Sequence, residues 1–435
     1  MIRKIAISAL VVCLAVAMLI LPMACEQPKP EKKAIIILPG IMGSNIIDAE
    51  TGDPLWAPMK KGLKMFELDF PKDLTKILMD PNIKKLINFE GEGGLYEWLD
   101  KMKVNPDGTS NHKNTAQVIG DDGMPLYDKA STYGTLEYYE KTYNFLHEKF
   151  SPEYDVRMFE YDWRLDNMSS AIALEKFIND HEYTDVTIVA HSMGGVLAST
   201  YIARSEENQQ KISKFISLGT PFYGSHKAIR VPENPLSLVG DDMSGMVDKI
   251  KKILGEAKFE DAYARLLDFV HNLPTIYQLI PYAGMCGAYT EQYPELKDLG
   301  IITIDGVAVK SYDEFMTFLK GREFSNDSYV DNMIKWQDEQ FVMKDGKKVH
   351  ASTVVDTRYL VGNDLETELC VNYVDGVMKD CTFSKLGDGT VPLYSATCGL
   401  PVTDSKVIEF KGISHGDLSY DDRCLAKIEE IIKEA

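Results

Sequence analysis

The chain has 435 residues, 45% of them hydrophobic and 26% charged, a globular balance with length for one large core or a core carrying inserted subdomains. Its net charge of −19 leaves no basic field to hold phosphates, which excludes nucleic acid as a partner, and offers no electrostatic attraction to anionic headgroups.

The first 24 residues read as a signal peptide. Arg3 and Lys4 precede an apolar run, Ile5 to Ala24, followed by Cys25 and E-Q-P-K-P. The cysteine directly after Ala24 resembles that of a bacterial lipoprotein, which becomes lipidated after cleavage. The expectation is an exported body, at the cell surface or in a periplasm, anchored through Cys25 and a polar tether over 25–33. Without lipidation it would be secreted, and uncleaved the same run is long enough to span a bilayer. Removing 1–24 removes two basic residues and no acids, so the mature body is more acidic still. Of the cysteines beyond Cys25, the five at 286, 370, 381, 398 and 424 cannot all pair with one another, and none has a metal-site spacing. No metal and no cofactor is expected.

A-I-I-I-L from Ala34 reads as a strand buried on both faces. P-G-I-M-G-S then forces a loop of unusual backbone angles, and the N–H of Ile41 is a candidate to meet a developing negative charge. Residues 45–130 have weak periodicity, many turn signals and two tryptophans, Trp56 and Trp98. They read as an insertion, either packed on the core or in contact with lipid. Tyr138 to Phe150 has helical spacing, Y-D-V-R-M is a strand running into Y-D-W-R at 161–164, and A-L-E-K-F-I lies on a helix.

The most informative stretch is V-T-I-V-A-H-S-M-G-G, 186–195. Four β-branched residues make a buried strand, small residues make a sharp turn, and V-L-A-S-T-Y-I-A-R makes a helix, with Ser192 at the tip. That is the nucleophile elbow of an α/β-hydrolase, although read plainly it is also a serine capping a helix. Met193 would supply a second N–H beside Ile41. K-F-I-S-L is the next strand and ends in G-T-P-F-Y-G-S at 219–225. From His226 to about 355 the strand–helix rhythm is lost among helical pieces such as Y-A-R-L-L-D-F-V, which reads as a cap. Sheet pattern returns with T-R-Y-L-V-G and V-I-E-F-K, and a terminal helix, D-R-C-L-A-K-I-E-E-I-I-K, closes the chain. The expected fold is therefore α/β: a hydrolase core with a mostly parallel sheet over 34–225 and 356–435, an insertion at 45–130 after the first loop, and a cap at 226–355 after the sixth core strand.

A serine hydroxyl needs a histidine to accept its proton, and the histidine needs a carboxylate to fix its tautomer. In this fold the order is serine, acid, histidine. His415 lies in a Gly-flanked turn just past a late strand, whereas the other histidines precede Ser192, adjoin it, or fall in the cap or a polar stretch. Asp388, between two glycines in L-G-D-G-T-V-P, is the candidate acid, with Asp364, Asp375 and Asp380 as rivals. A turn aspartate can also simply satisfy its own backbone.

The combined motifs resemble the lecithin:cholesterol acyltransferase family, which includes lysosomal phospholipase A. The matching stretches are L-P-G-I-M-G-S (38–44), P-L-W (54–56), Y-D-W-R, A-H-S-M-G-G (190–195), G-T-P-F-Y-G-S, Y-L-V-G-N-D-L-E-T (359–367), G-D-G-T-V-P (387–392) and S-H (414–415), in that family's order. The resemblance implies a triad of Ser192, Asp388 and His415, oxyanion donors at Ile41 and Met193, and a membrane-contacting insertion. Animal members close a loop of that insertion with a disulfide, and here no cysteine lies between Cys25 and Cys286. The expected activity is serine-dependent hydrolysis of lipid acyl esters in membranes or aggregates, through an acyl-enzyme. Acyl transfer to an alcohol is the alternative, and a non-catalytic surface lipoprotein on the same scaffold is the third reading. Nothing in the sequence fixes an oligomeric state.

Overall fold

The computed structural model describes residues 31–44, 46–48, 54–56, 94–106, 108–110, 114–116, 134–235, 251–252, 255–282, 293 and 298–434. Lys33–Ala435 forms one compact unit. The stretches read from the sequence as a signal peptide and a tether, with Cys25, lie outside the described residues apart from the tether's last three positions, as do much of the 45–130 insertion and parts of the cap. No helix among the described residues is long and apolar enough to cross a membrane.

Six strands build the central sheet: β1 (Lys33–Leu38), then β5 (Asp155–Met158), β6 (Asp185–His191), β7 (Ile212–Leu218), β12 (Thr357–Asn363) and β15 (Val407–Lys411). Between β1 and β5 come β2 (Ile46–Asp48), β3 (Pro54–Trp56) and β4 (Asn114–Ala116), which make a small antiparallel sheet in the insertion. The central order is β15-β12-β7-β6-β1-β5, and every pair is parallel. Strand β1 shows why: Ala34, Ile36 and Leu38 enter one core and Ile35 and Ile37 the other, so both faces must be covered by helices.

On the first face lie α3 (Asn167–Asp180) and α4 (Met193–Arg204); on the second lie α2 (Gly134–Phe150) and the terminal helix α11 (Asp422–Lys433). Helix α1 (Leu95–Met102) belongs to the insertion. The chain runs from β1 to β5 on one side and then crosses to β6 on the other, so a crevice opens past the carboxyl ends of β1 and β6.

The strand ending in G-T-P is β7, the fourth of the central sheet in chain order and not the sixth, because among the described residues no strand of this sheet precedes β1. The cap is also less helical than its sequence suggested. It holds α6 (Lys227–Glu233), α7 (Glu256–His271), α8 (Pro274–Gln278), α9 (Tyr312–Lys320) and α10 (Asp327–Glu339), with α5 (Glu206–Lys211) lying before it. It also holds the hairpins β8–β9 (Ile302–Ile304, Val307–Val309) and β10–β11 (Phe341–Lys344, Lys347–His350). The first hairpin pairs with β13 (Thr367–Val374), whose own partner is β14 (Val377–Ser384), giving a second sheet of order β14-β13-β8-β9. The buried pair Arg230–Glu368, 2.7 Å apart, fastens α6 to this sheet.

Candidate active site

The elbow is strained where the sequence placed it. Ser192 has φ 54° and ψ −127°, a region closed to most L-residues, and is held there by its N–H to the Leu218 carbonyl at 2.9 Å. The turn is tight enough that a Cβ on Gly194 would sit 2.5 Å from the Leu38 carbonyl oxygen. The strain lifts the serine hydroxyl off the end of β6 toward the loops that follow β12 and β15.

There Ser192 Oγ lies 2.9 Å from His415 Nε2, and His415 Nδ1 lies 2.8 Å from Asp388 Oδ2. The other carboxyl oxygen of Asp388 accepts the backbone N–H groups of Thr390 at 3.0 Å and Val391 at 2.7 Å. With Oδ1 so occupied, Oδ2 takes the Nδ1–H of His415, which leaves Nε2 with a lone pair for the serine proton. The three side chains thus form one hydrogen-bonded line, with the acid buried and serine and histidine at its open end. The rival acids are elsewhere. Asp364 is an exposed neighbour of Lys385, Asp375 is in a hairpin turn, and Asp380, on β14, accepts from Asn372 of β13. Of the other histidines, His226 and His350 are buried neutral groups whose pKa burial pulls down to about 3.

The loop after β1 is braced from three sides. Tyr161 of Y-D-W-R donates its hydroxyl to the Pro39 carbonyl at 2.9 Å and its N–H to Ser44 Oγ at 3.1 Å. Trp56 donates to the Met42 carbonyl at 3.0 Å, and Met42 itself holds a positive φ of 63°. Trp56 packs edge-on against Trp163, and Trp98 packs against Phe269. Arg164, fully buried, bonds Asp162 and the Met102 carbonyl and so ties α1 to the core. The two insertion tryptophans therefore support this loop. Among the described residues, the N–H groups of Ile41 and Met193 have no protein acceptor, which leaves both able to receive one. Ile41 lines the cavity above Ser192, whereas Met193 is buried at the start of α4.

That cavity encloses about 450 Å³. Its lining includes the apolar residues Ile41, Met42, Ala228, Val231, Ile276 and Leu279 and the polar residues Thr390, Ser414 and Asp417. Leu279 comes from Y-Q-L-I of the cap, but L-L-D-F-V does not reach the cavity and instead sends Phe269 and Val270 into the core. Lys227, at the start of α6, is the one lysine or arginine among the described residues lining it. No group of metal ligands occurs among the described residues. An apolar trough ending at an activatable hydroxyl suits acyl transfer from an ester with a long acyl chain.

Sequence reasoning passed over His191, treated only as the neighbour of Ser192, and Tyr139, one aromatic in a helical pattern. Both line the cavity. Their roles depend on contacts between distant segments, which no local pattern signals.

Comparison with known proteins agrees with this architecture. A family model for lecithin:cholesterol acyltransferase matches residues 97–237, which include the elbow and G-T-P-F-Y-G-S. An uncharacterized protein of Saccharomyces cerevisiae is 26% identical over 192 residues, 43% of this chain; the match spans 23% of that protein's length. Among solved structures, the Tle4-Tli4 complex aligns with a TM-score of 0.50 and 13% identity, covering 92% of this chain and 98% of that one. The Bacillus licheniformis lipase BlEst2 in mature form aligns over 94% of each chain, with a TM-score of 0.35 and 10% identity. The first of these structural likenesses is one of fold.

Proposed function

We propose that this chain of α/β-hydrolase fold belongs to the lecithin:cholesterol acyltransferase family and cleaves lipid acyl esters through a serine acyl-enzyme. The observation that carries the reading is the line Ser192–His415–Asp388 at the end of an apolar trough. In the proposed first half, His415 Nε2 takes the Ser192 proton as Oγ attacks the ester carbonyl. The oxygen that becomes negative is met by the N–H groups of Ile41 and Met193. Collapse breaks the bond to the alcohol, which leaves with the proton from His415, and the acyl group stays on Ser192. In the second half His415 takes a proton from water, the hydroxide attacks, and fatty acid and free serine result. The acyl chain lies along Ile41, Val231, Ile276 and Leu279. Anchoring through lipidated Cys25 would keep the site at a membrane, where such substrates are.

A second reading has a specific support, since the matched family is named for acyl transfer: an alcohol replaces water in the second half. The acyl-enzyme is common to both, so acceptor binding decides. Hydrolysis is the expected outcome, because none of the described residues lining the cavity marks a site for a particular alcohol. The experiment is to incubate the purified body with a panel of glycerolipid vesicles, with and without a long-chain alcohol, and follow products by mass spectrometry. Free fatty acid as the main product supports hydrolysis, and ester formation outrunning it at low alcohol reverses the choice. Release of neither product contradicts both readings.

A further inference from the structure

Two side chains outside the proposed triad join its two halves. The Gly40 N–H donates to the Tyr139 hydroxyl at 2.8 Å, and Tyr139 Oη is 2.7 Å from His191 Nδ1. His191 Nε2 is 2.8 Å from the main-chain carbonyl of His415. A carbonyl only accepts, so His191 carries its proton on Nε2. Its Nδ1 then accepts from Tyr139, whose oxygen accepts from Gly40. Every link has one possible direction, and the imidazole must be neutral to serve both. Burial ensures that, pulling its pKa to about 3. The chain begins in the loop that carries Ile41, where a Cβ on Gly40 would stand 2.9 Å from Ser192 Cβ, and ends on the backbone of the proposed base. One helical turn beyond Tyr139, Thr142 donates to the Ser419 carbonyl in the segment after His415, so the same face of α2 holds both loops.

We propose that Tyr139 and His191 are positioning residues that lock the loop of Ile41 and the loop of His415 in register on either side of Ser192. This rests on the acyl-enzyme reading above. Neither group touches the reacting atoms in that reading. Their effect is to fix the distance between the oxyanion donor and the base, an error of about 1 Å in which costs on the order of 100-fold in rate.

The test uses a soluble short-chain ester and a fluorophosphonate, compared in wild type, Tyr139→Phe, His191→Leu and His191→Gln. Tyr139→Phe removes one oxygen and is expected to lower kcat by about 10- to 100-fold with KM within about twofold and Tm little changed. It should slow phosphonylation by a similar factor. His191→Leu should match it, and the double variant should lose no more than the larger single loss. His191→Gln, which keeps a donor and an acceptor, should recover most of the rate. A wild type inert toward both reagents overturns the acyl-enzyme reading and this inference with it. An active wild type with an unchanged kcat in Tyr139→Phe overturns the inference alone, even if His191→Leu fails to fold. A fall in Tm that accounts for the loss in both single variants, with no recovery in His191→Gln, also overturns it.

Discussion

At Asp388 the two carboxyl oxygens face different neighbours. Oδ1 closes its own turn through the N–H groups of Thr390 and Val391, and Oδ2 faces His415. One oxygen therefore satisfies the turn, and the other is free to serve the proposed role beside His415. Asp388→Asn would keep the turn, since an amide oxygen still accepts, but would present an NH2 to a histidine nitrogen that must donate. The imidazole would then favour the wrong tautomer. Loss of roughly 10³- to 10⁴-fold in ester turnover is expected, whereas Asp364→Asn, at an exposed side chain, should stay near wild type. The check is kcat/KM of both variants on one ester; a dead Asp364→Asn with an active Asp388→Asn would reassign the acid. Residue order along the chain made Ser192, Asp388 and His415 legible, because each follows a strand and sits in a turn with characteristic small neighbours. Tyr139 and His191 were not legible, because their partners lie 99 and 224 residues away.

The central parallel strands were readable as apolar runs buried on both faces, as in A-I-I-I-L and V-T-I-V-A, whereas the edge strands β5 and β15 mix apolar with charged residues and are partly exposed. The second sheet was not readable. Strand β14, V-M-K-D-C-T-F-S, is largely exposed and mixes charged and apolar residues, so it shows no clear alternation. A turn signal was present nonetheless. Asp305-Gly306, Asp345-Gly346 and Asp375-Gly376 each join two paired strands, and all six residues have positive φ. Asp-Gly is the favoured dipeptide of a two-residue hairpin, and three of the four such pairs after residue 300 mark hairpins, Asp388-Gly389 being the exception. The cap looked helical because its helices carry the apolar pattern, while its strands are three or four residues long.

At the scale of the whole molecule, buried titratable groups set how stability varies with pH. Burial pulls His191, His226 and His350 down to about 3 from 6.5. Between those values the unfolded chain binds protons that the folded one does not, so these groups make stability rise with pH up to about 6.5. Burial pushes Glu160 up to about 8 from 4.5. Across that window the folded chain holds the extra proton, so this group makes stability fall as pH rises toward 8. These three histidines, with His271, whose pKa burial also lowers, outweigh one carboxyl below 6.5, and among the described groups Glu160 dominates from there to 8. Tm is expected to peak near 6.5 and decline toward 8, and Glu160→Gln should flatten the alkaline limb only. Scanning calorimetry across pH reads this directly; identical alkaline limbs in the two proteins would contradict it.

Ser192 is the proposed nucleophile, and every step of the proposed reaction starts from it. A fluorophosphonate reacts with an activated serine and leaves a stable adduct whose position peptide mass spectrometry can assign. The expected result is one modified peptide, carrying the adduct on Ser192, in the wild type, and none in a Ser192→Ala variant of unchanged Tm. Equal labelling of the variant, or an adduct on another residue of the wild type, would contradict the account.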